Sequence, residues 1–140
     1  MIEQAFPEGA RAVVIATQAD FPDALAGAPL ASAVNGPILL TSPDRLRDDV
    51  AAEIRRLGVK RAIILGGTTA VTSAVEDDLM RSAGITTVER VGGRDRYVTA
   101  LLIARRMREP GRIVQTALVV SGRSWPDAVS AAPLASANGW

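Results

Sequence analysis

The chain contains no cysteine and no histidine. The first absence excludes disulfides, thiol catalysis and thiolate metal sites. The second removes the commonest general base, the usual partner of a nucleophilic serine and the commonest zinc ligand, which weakens most hydrolase readings. Aromatic residues are only 4% of the 140 positions, so a core must be packed from Val, Ile, Leu and Ala. No apolar run reaches the length of about 18 residues that a membrane span requires, so no membrane span is expected. The opening stretch MIEQAFPEGARAVV lacks the cationic region, apolar run and cleavage site of a signal peptide. Charge of one sign is also missing. Sixteen basic residues stand against 15 acidic ones, net +1, which is too even for an electrostatic nucleic-acid binder, and no nucleic-acid partner is expected.

What remains is the composition of one globular domain: 48% hydrophobic, 22% charged, mean hydropathy +0.18. Within it one stretch occurs twice. Residues 21–33, FPDALAGAPLASA, and residues 125–137, WPDAVSAAPLASA, stand 104 positions apart and agree at nine of thirteen places. Their lead-ins, AVVIAT at 12–17 and ALVVSG at 117–122, match in kind. A self-match at fixed offset marks a repeated unit. The chain thus holds one nearly whole unit and the opening of another.

Read in order, residues 1–11 are an irregular lead-in, and AVVIAT is a strand buried on both faces. The small-residue motif is a helix that begins at Pro22-Asp23 and is expected to kink or break near Pro29. PILLT at 37–41 is a second strand, and Ser42-Pro43-Asp44 starts a helix with Leu46, Val50, Ile54 and Leu57 on its apolar stripe. KRAIIL at 60–65 is the third strand, followed by a helix over roughly 73–83, and ITTVERV at 85–91 is a fourth, edge-type strand. A helix from about 95 to 108 presents Ala100, Ile103, Ala104 and Met107, Pro110-Gly111 end it, and 114–120 is a fifth strand. Strand–helix alternation predicts an α/β, Rossmann-like three-layer fold: a mainly parallel sheet of about five strands with helices on both faces.

Ligands of such folds gather at the carboxyl ends of the strands. Here those ends carry Thr17, Thr41-Ser42, Gly66-Gly67-Thr68 and Ser121-Gly122, a pattern that turn chemistry alone would also produce. LGGTTAV fails both the dinucleotide fingerprint and the P-loop, having Thr68 and Val71 at the diagnostic places and no Gly-Lys-Ser/Thr ending, so no cofactor is expected. Asp23 and Asp127, equivalent across the repeat, suit either a helix N-terminus or a ligand-facing acid. In RVGGRDRYVT, residues 90–99, Arg94 and Arg96 suit phosphate or carboxylate groups of a polyanion, and Asp95 suits an internal salt bridge. No metal site is expected.

Taken together, VVIATQADFPDALAGAPLA, NGPILLT, LGVKRAIILGGTTAV with Val75-Glu76 and Leu79, and RVGGRDRYVTA resemble the cell wall-binding repeat 2 family, from residue 12 onward. Trp125 in place of Phe and Val98 in place of an acid are its departures from the family pattern. The resemblance implies a module spanning 1–89 that lacks its own opening helix, and the opening part of a second at 90–140. It implies a non-catalytic, secreted, cell-wall or cell-surface anchor of Gram-positive-type bacteria, repeated in tandem and bound non-covalently to an anionic wall polymer, with neighbouring repeats as its other partners. It implicates the segment Pro37, Ile38, Leu39 and Leu40 in polymer binding, beside which Thr41, Asp23, Arg94 and Arg96 complete the candidate ligand-binding residues. No catalytic residue is assigned. The alternative function is a small α/β enzyme acting on a phosphorylated or glycosidic substrate at the strand ends, with turnover dependent on Asp23. A purely architectural repeat is the third.

Overall fold

A computed structural model of the chain describes residues 2–108 and 114–140. Four strands form one parallel sheet in the order β2-β1-β3-β4. They are β1 (Val13–Thr17), β2 (Ile38–Thr41), β3 (Arg61–Leu65) and β4 (Thr87–Val91). Among the described residues six helices accompany them: α1 (Ile2–Ala5), α2 (Pro22–Ala33), α3 (Asp48–Leu57), α4 (Ser73–Ser82), α5 (Arg96–Met107) and α6 (Pro126–Asn138). The unbroken apolar runs lie in the middle of the sheet, where both faces are covered: all of β1 is buried, as is β3 beyond Arg61. The polar strand β4 is an edge, as its Thr and Glu content indicates.

Crossover handedness decides where the helices go. The step from β1 to β2 runs one way across the sheet; the steps from β2 to β3 and from β3 to β4 run the other way. Right-handed crossovers then place α2 on one face and α3 and α4 on the opposite face. The core divides accordingly. Val13, Ile15, Leu39, Ala62 and Ile64 pack with Val50, Ile54 and Leu57 of α3 and Val75 and Leu79 of α4. Val14, Ala16, Ile63, Leu65 and Val91 pack with Leu30 and Ala31 of α2 and with Ile103 and Met107 of α5.

Several expectations need correction. The lead-in contains a short helix, α1, whose Ile2 packs with Phe6 against the α3–α4 side of the core. Helix α2 continues through Pro29, although the Leu25 carbonyl thereby loses its ordinary amide donor. Helix α3 begins at Asp48 rather than Ser42, because the Thr41 hydroxyl donates to the Arg45 carbonyl (3.0 Å) and accepts from the Arg47 amide (3.4 Å), holding 42–47 as a loop. In α5 the buried stripe is Thr99, Ile103 and Met107; Ala100 and Ala104 face outward.

Residues 114–120, expected as the fifth strand, join no sheet, and Val119 is 95% exposed. At the 104-residue offset this segment corresponds to β1, whose burial depends on a strand at each side. The sequence holds no second PILLT or RAIIL segment to supply those strands. Helix α6 forms nonetheless and packs on α2 through Ala132 and Ala135. Small side chains on both helices permit this approach, and the Ser32 hydroxyl donates to the carbonyl of Ser136, its repeat equivalent, at 3.3 Å.

Candidate functional site

Three motifs meet at the carboxyl ends of β1, β3 and β4. The turns at Gly66 and Gly92 touch backbone to backbone, so that a Cβ on Gly92 would lie 2.1 Å from the carbonyl carbon of Gly66. The Gly66 amide donates to the Val91 carbonyl (3.0 Å). Arg90 spans the same corner: its guanidinium donates to the carbonyls of Gly66 (3.2 Å) and Val71 (2.8 Å) and pairs with Glu76 (3.2 Å). Its donors are spent inward, which makes it a clamp between strand ends. Asp95 caps α5 by accepting from the Val98 amide (2.8 Å), and the Thr99 hydroxyl accepts from the Gly93 amide (3.0 Å).

Asp23 stands in the first turn of α2, half-buried against Gly66, where an added Cβ would fall 2.4 Å from its Oδ2. Burial, then the neighbouring Asp20, push its carboxyl above the usual value, against the opposing charge of Arg96. Arg96 donates to Asp20 (3.1 Å) and to the Gly122 carbonyl (3.0 Å), so it ties the lead-in of the first motif copy to that of the second. In a 2-1-3-4 sheet the switch point lies between β1 and β3, where doubly wound folds receive nucleotides. Here the Asp23 carboxylate and the backbone of the Gly92 turn pack closely against Gly66.

An open cavity lies one strand over, at the ends of β1 and β2. It measures about 440 Å³ and is lined by Gln18, Ser42, Arg45, Leu46, Arg47, Asp48 and Asp49. Arg47 grips both carboxylate oxygens of Asp49 (3.0 and 2.6 Å) and donates to the Gln18 amide oxygen (3.1 Å). That grip holds the Asp49 carboxyl below its usual range, chiefly through the hydrogen bonds. Arg45 is exposed, and its guanidinium has no ion-pair or hydrogen-bond partner among the described residues. The groove therefore offers one uncommitted cation, Arg45, and one carboxylate without a partner among the described residues, Asp48, beside a hydroxyl, an amide and the Arg47–Asp49 pair. This lining of both charge signs suits a polar, hydroxyl-bearing ligand with an anionic group at Arg45.

The expected site residues do not gather in one place. Pro37, Leu39 and Thr41 are buried and Ile38 is half-buried; within this segment Leu40, 47% exposed, is the residue most open to solvent. Thr41 bears on the groove indirectly, by fixing the 42–47 loop. Arg94 is solvent-exposed with Asp95 nearby (3.4 Å), whereas Asp23 and Arg96 belong to the Gly66 corner. Gln18, Arg45 and Arg47 were not singled out by sequence. The available signal was their place just beyond two adjacent strands, obscured by reading 42–47 as a helix start. Among the described residues no cluster of carboxylates could hold a metal, and no helix is long and apolar enough to cross a membrane.

Comparison with known proteins agrees with this geometry. The profile of the cell wall binding domain 2 (CWB2) family matches residues 1–76 and 90–140. The amidase enhancer of Bacillus subtilis (strain 168) is 35% identical over 128 residues, which is 91% of this chain and 17% of that protein. The N-acetylmuramoyl-L-alanine amidase LytC of the same organism is 33% identical over 131 residues, 94% of this chain and 25% of that protein. The structure of Cwp8 from Clostridium difficile superposes with a TM-score of 0.80 at 36% identity, covering 91% of this chain and 22% of that one. The chain thus spans no more than about a quarter of each of these three relatives. With its α/β architecture and its recurring motifs, the chain belongs to the cell wall binding domain 2 family and is a cell-wall-binding module.

Proposed function

We propose that this module holds a secreted surface protein to an anionic wall polymer without covalent bonds, and that it catalyses nothing itself. Any chemistry then resides elsewhere in the parent protein, as the amidase names of two relatives suggest. The observation that carries this reading is the β1–β2 groove. It is open, polar and flanked by the uncommitted Arg45, while at the switch point the Asp23 carboxylate and the Gly92 turn pack closely against Gly66. Polymer contacts fall on Gln18, Ser42, Arg45 and Arg47, with exposed Leu40 on the adjoining strand β2, while Arg94, beyond β4 at the other edge of the sheet, offers a separate contact. Ile38 and Leu39 contribute by building the strand that carries the groove, and Pro37, just before it, by accepting from the Val14 amide.

The test is sedimentation of the 140-residue chain with isolated walls, before and after extraction of their anionic polymers, across a salt series. Binding is expected to depend on the polymer, to fall as salt screens the contacts, and to weaken about 3- to 10-fold in Arg45→Ala, the loss of about 1 kcal/mol that one exposed charged contact contributes. Binding indifferent to salt and to polymer removal would sink the proposal.

A further inference from the structure

The sequence repeat and the packing unit have different boundaries. The family profile resumes at residue 90, so α5 opens the second sequence repeat. Its buried side chains nevertheless belong to the first. Ile103 is 2% exposed and Met107 6%, and both pack with Val14, Ala16, Ile63, Leu65 and Val91. The topology explains why. Right-handed crossovers send α3 and α4 to one face and leave α2 alone on the other, so the β3–β4 half of that face has no helix from its own repeat. Left bare, the apolar side chains of Ile63, Leu65 and Val91 would meet water. Helix α5 fills that seat, with Arg106 fastened to Glu89 of β4.

The start of the chain supplies an independent sign. At the 104-residue offset Ile2 and Glu3 fall on Arg106 and Met107, so α1 stands where the last turn of an opening helix belongs. It does not sit where α5 sits. Ile2 packs on the α3–α4 side of the core, and α5 packs on the α2 side. This four-residue stretch therefore does not occupy the α5 seat.

We propose that the seat over β3 and β4 is an interface between successive repeats, and that its partner is the opening helix, of the R-x-x-G-x-D-R-Y type, of the repeat that follows. Each repeat in a tandem array thus hands its first helix back to the one before it. The outward face of α5, where Tyr97 is 57% and Leu101 50% exposed, is left for the repeat to which its sequence belongs.

Amide hydrogen exchange on the full 140-residue chain tests this, comparing Ile103→Ala with Leu101→Ala. Truncating Ile103 is expected to speed exchange of the Ile63, Leu65 and Val91 amides about 30- to 1,000-fold, the range of a buried large-to-small loss. Leu101→Ala should leave those amides unchanged. Loss of protection throughout 13–91 in Ile103→Ala would support the same dependence more strongly. Faster exchange confined to 114–140, with β3 and β4 unaffected, would overturn the proposal, as would equal effects of the two substitutions on β3 and β4.

Discussion

Replacing Gly92 with alanine is expected to remove about 2–4 kcal/mol of stability. The added methyl would stand 2.1 Å from the carbonyl carbon of Gly66, 2.2 Å from its oxygen and 2.6 Å from the nitrogen of Gly67. Carbon atoms in contact settle at about 3.5–4.0 Å, so the strand-end turns must separate. All three atoms are backbone, and no change of rotamer can absorb the clash. The corner carries the Gly66 amide bond to Val91 and the Arg90 bonds to the Gly66 and Val71 carbonyls. A neutral bond contributes about 0.5–1.5 kcal/mol and one to a charged group about 1.5–3, so losing one of each gives the figure above. Gly58→Ala is the comparison. Its φ is +67°, and an added Cβ there meets nothing within 4 Å, so only the left-handed backbone is penalised, by about 1–2 kcal/mol. Urea denaturation of both variants, at unchanged slope, measures the difference. If Gly92→Ala proves no more harmful than Gly58→Ala, the close approach of the two turns is refuted.

Asp23→Asn should stabilise the fold at neutral pH. Folding raises this carboxyl's pKa, so the cost of its ionised form is absent below its ordinary value of 3.8 and complete above the raised one; the advantage of the asparagine should vanish in acid denaturation profiles. Glu89 behaves in the opposite sense. Burial pushes its pKa up, but hydrogen bonds and charge from Arg106 and Arg61 outweigh burial and hold it down. Glu89→Gln should cost about 1–2 kcal/mol near pH 7, discounted for partial exposure, and the difference from the parent should disappear as pH falls below the ordinary 4.5 through the lowered folded value. Ala135→Leu should overfill the α2–α6 contact by about 1–3 kcal/mol, read as faster amide exchange in 126–138 with β1 and β3 unchanged.

Most of the fold was legible because one rule, strand–helix alternation with unbroken apolar strands, governs residues 12–91. AVVIAT and AIIL could only be strands covered on both faces, and β4 declared itself an edge by its Thr and Glu. Legibility failed where pairing or loop chemistry overrides the local pattern. ALVV reads like AVVI, yet Val119 lies in solvent while its equivalent Ile15 is fully buried, because burial belongs to the neighbours a strand finds and not to its own composition. Leu46 kept its place in the core although its helix starts two residues later; the hydroxyl of buried Thr41 holds that loop, and no periodicity announces such a bond. Two of the three arginines in RVGGRDR were likewise beyond a reading by charge alone. Arg90 and Arg96 are spent on carbonyls and acids inside the fold, and of the three Arg94 extends outward, beside Asp95.

These placements bear on how such a module can hold a polymer. One groove with one uncommitted cation, and the unpaired Asp48 carboxylate beside it, is a weak site for an anion, because an exposed charged contact contributes only about 1 kcal/mol or less. Strength must then come from repetition, and repetition helps only when the sites are held at a spacing the polymer can match. Two features of this chain fix such a spacing. Helix α5 is packed on the sheet of the preceding repeat, and α2 meets α6 at equivalent serines. The 42–47 loop sequence occurs once in the 140 residues, and among the described residues the β1–β2 groove is built once. Affinity should therefore rise much more steeply than in proportion to groove number when complete repeats are added in tandem, and the same repeats joined by flexible linkers in place of the α5 and α6 contacts should lose most of that gain.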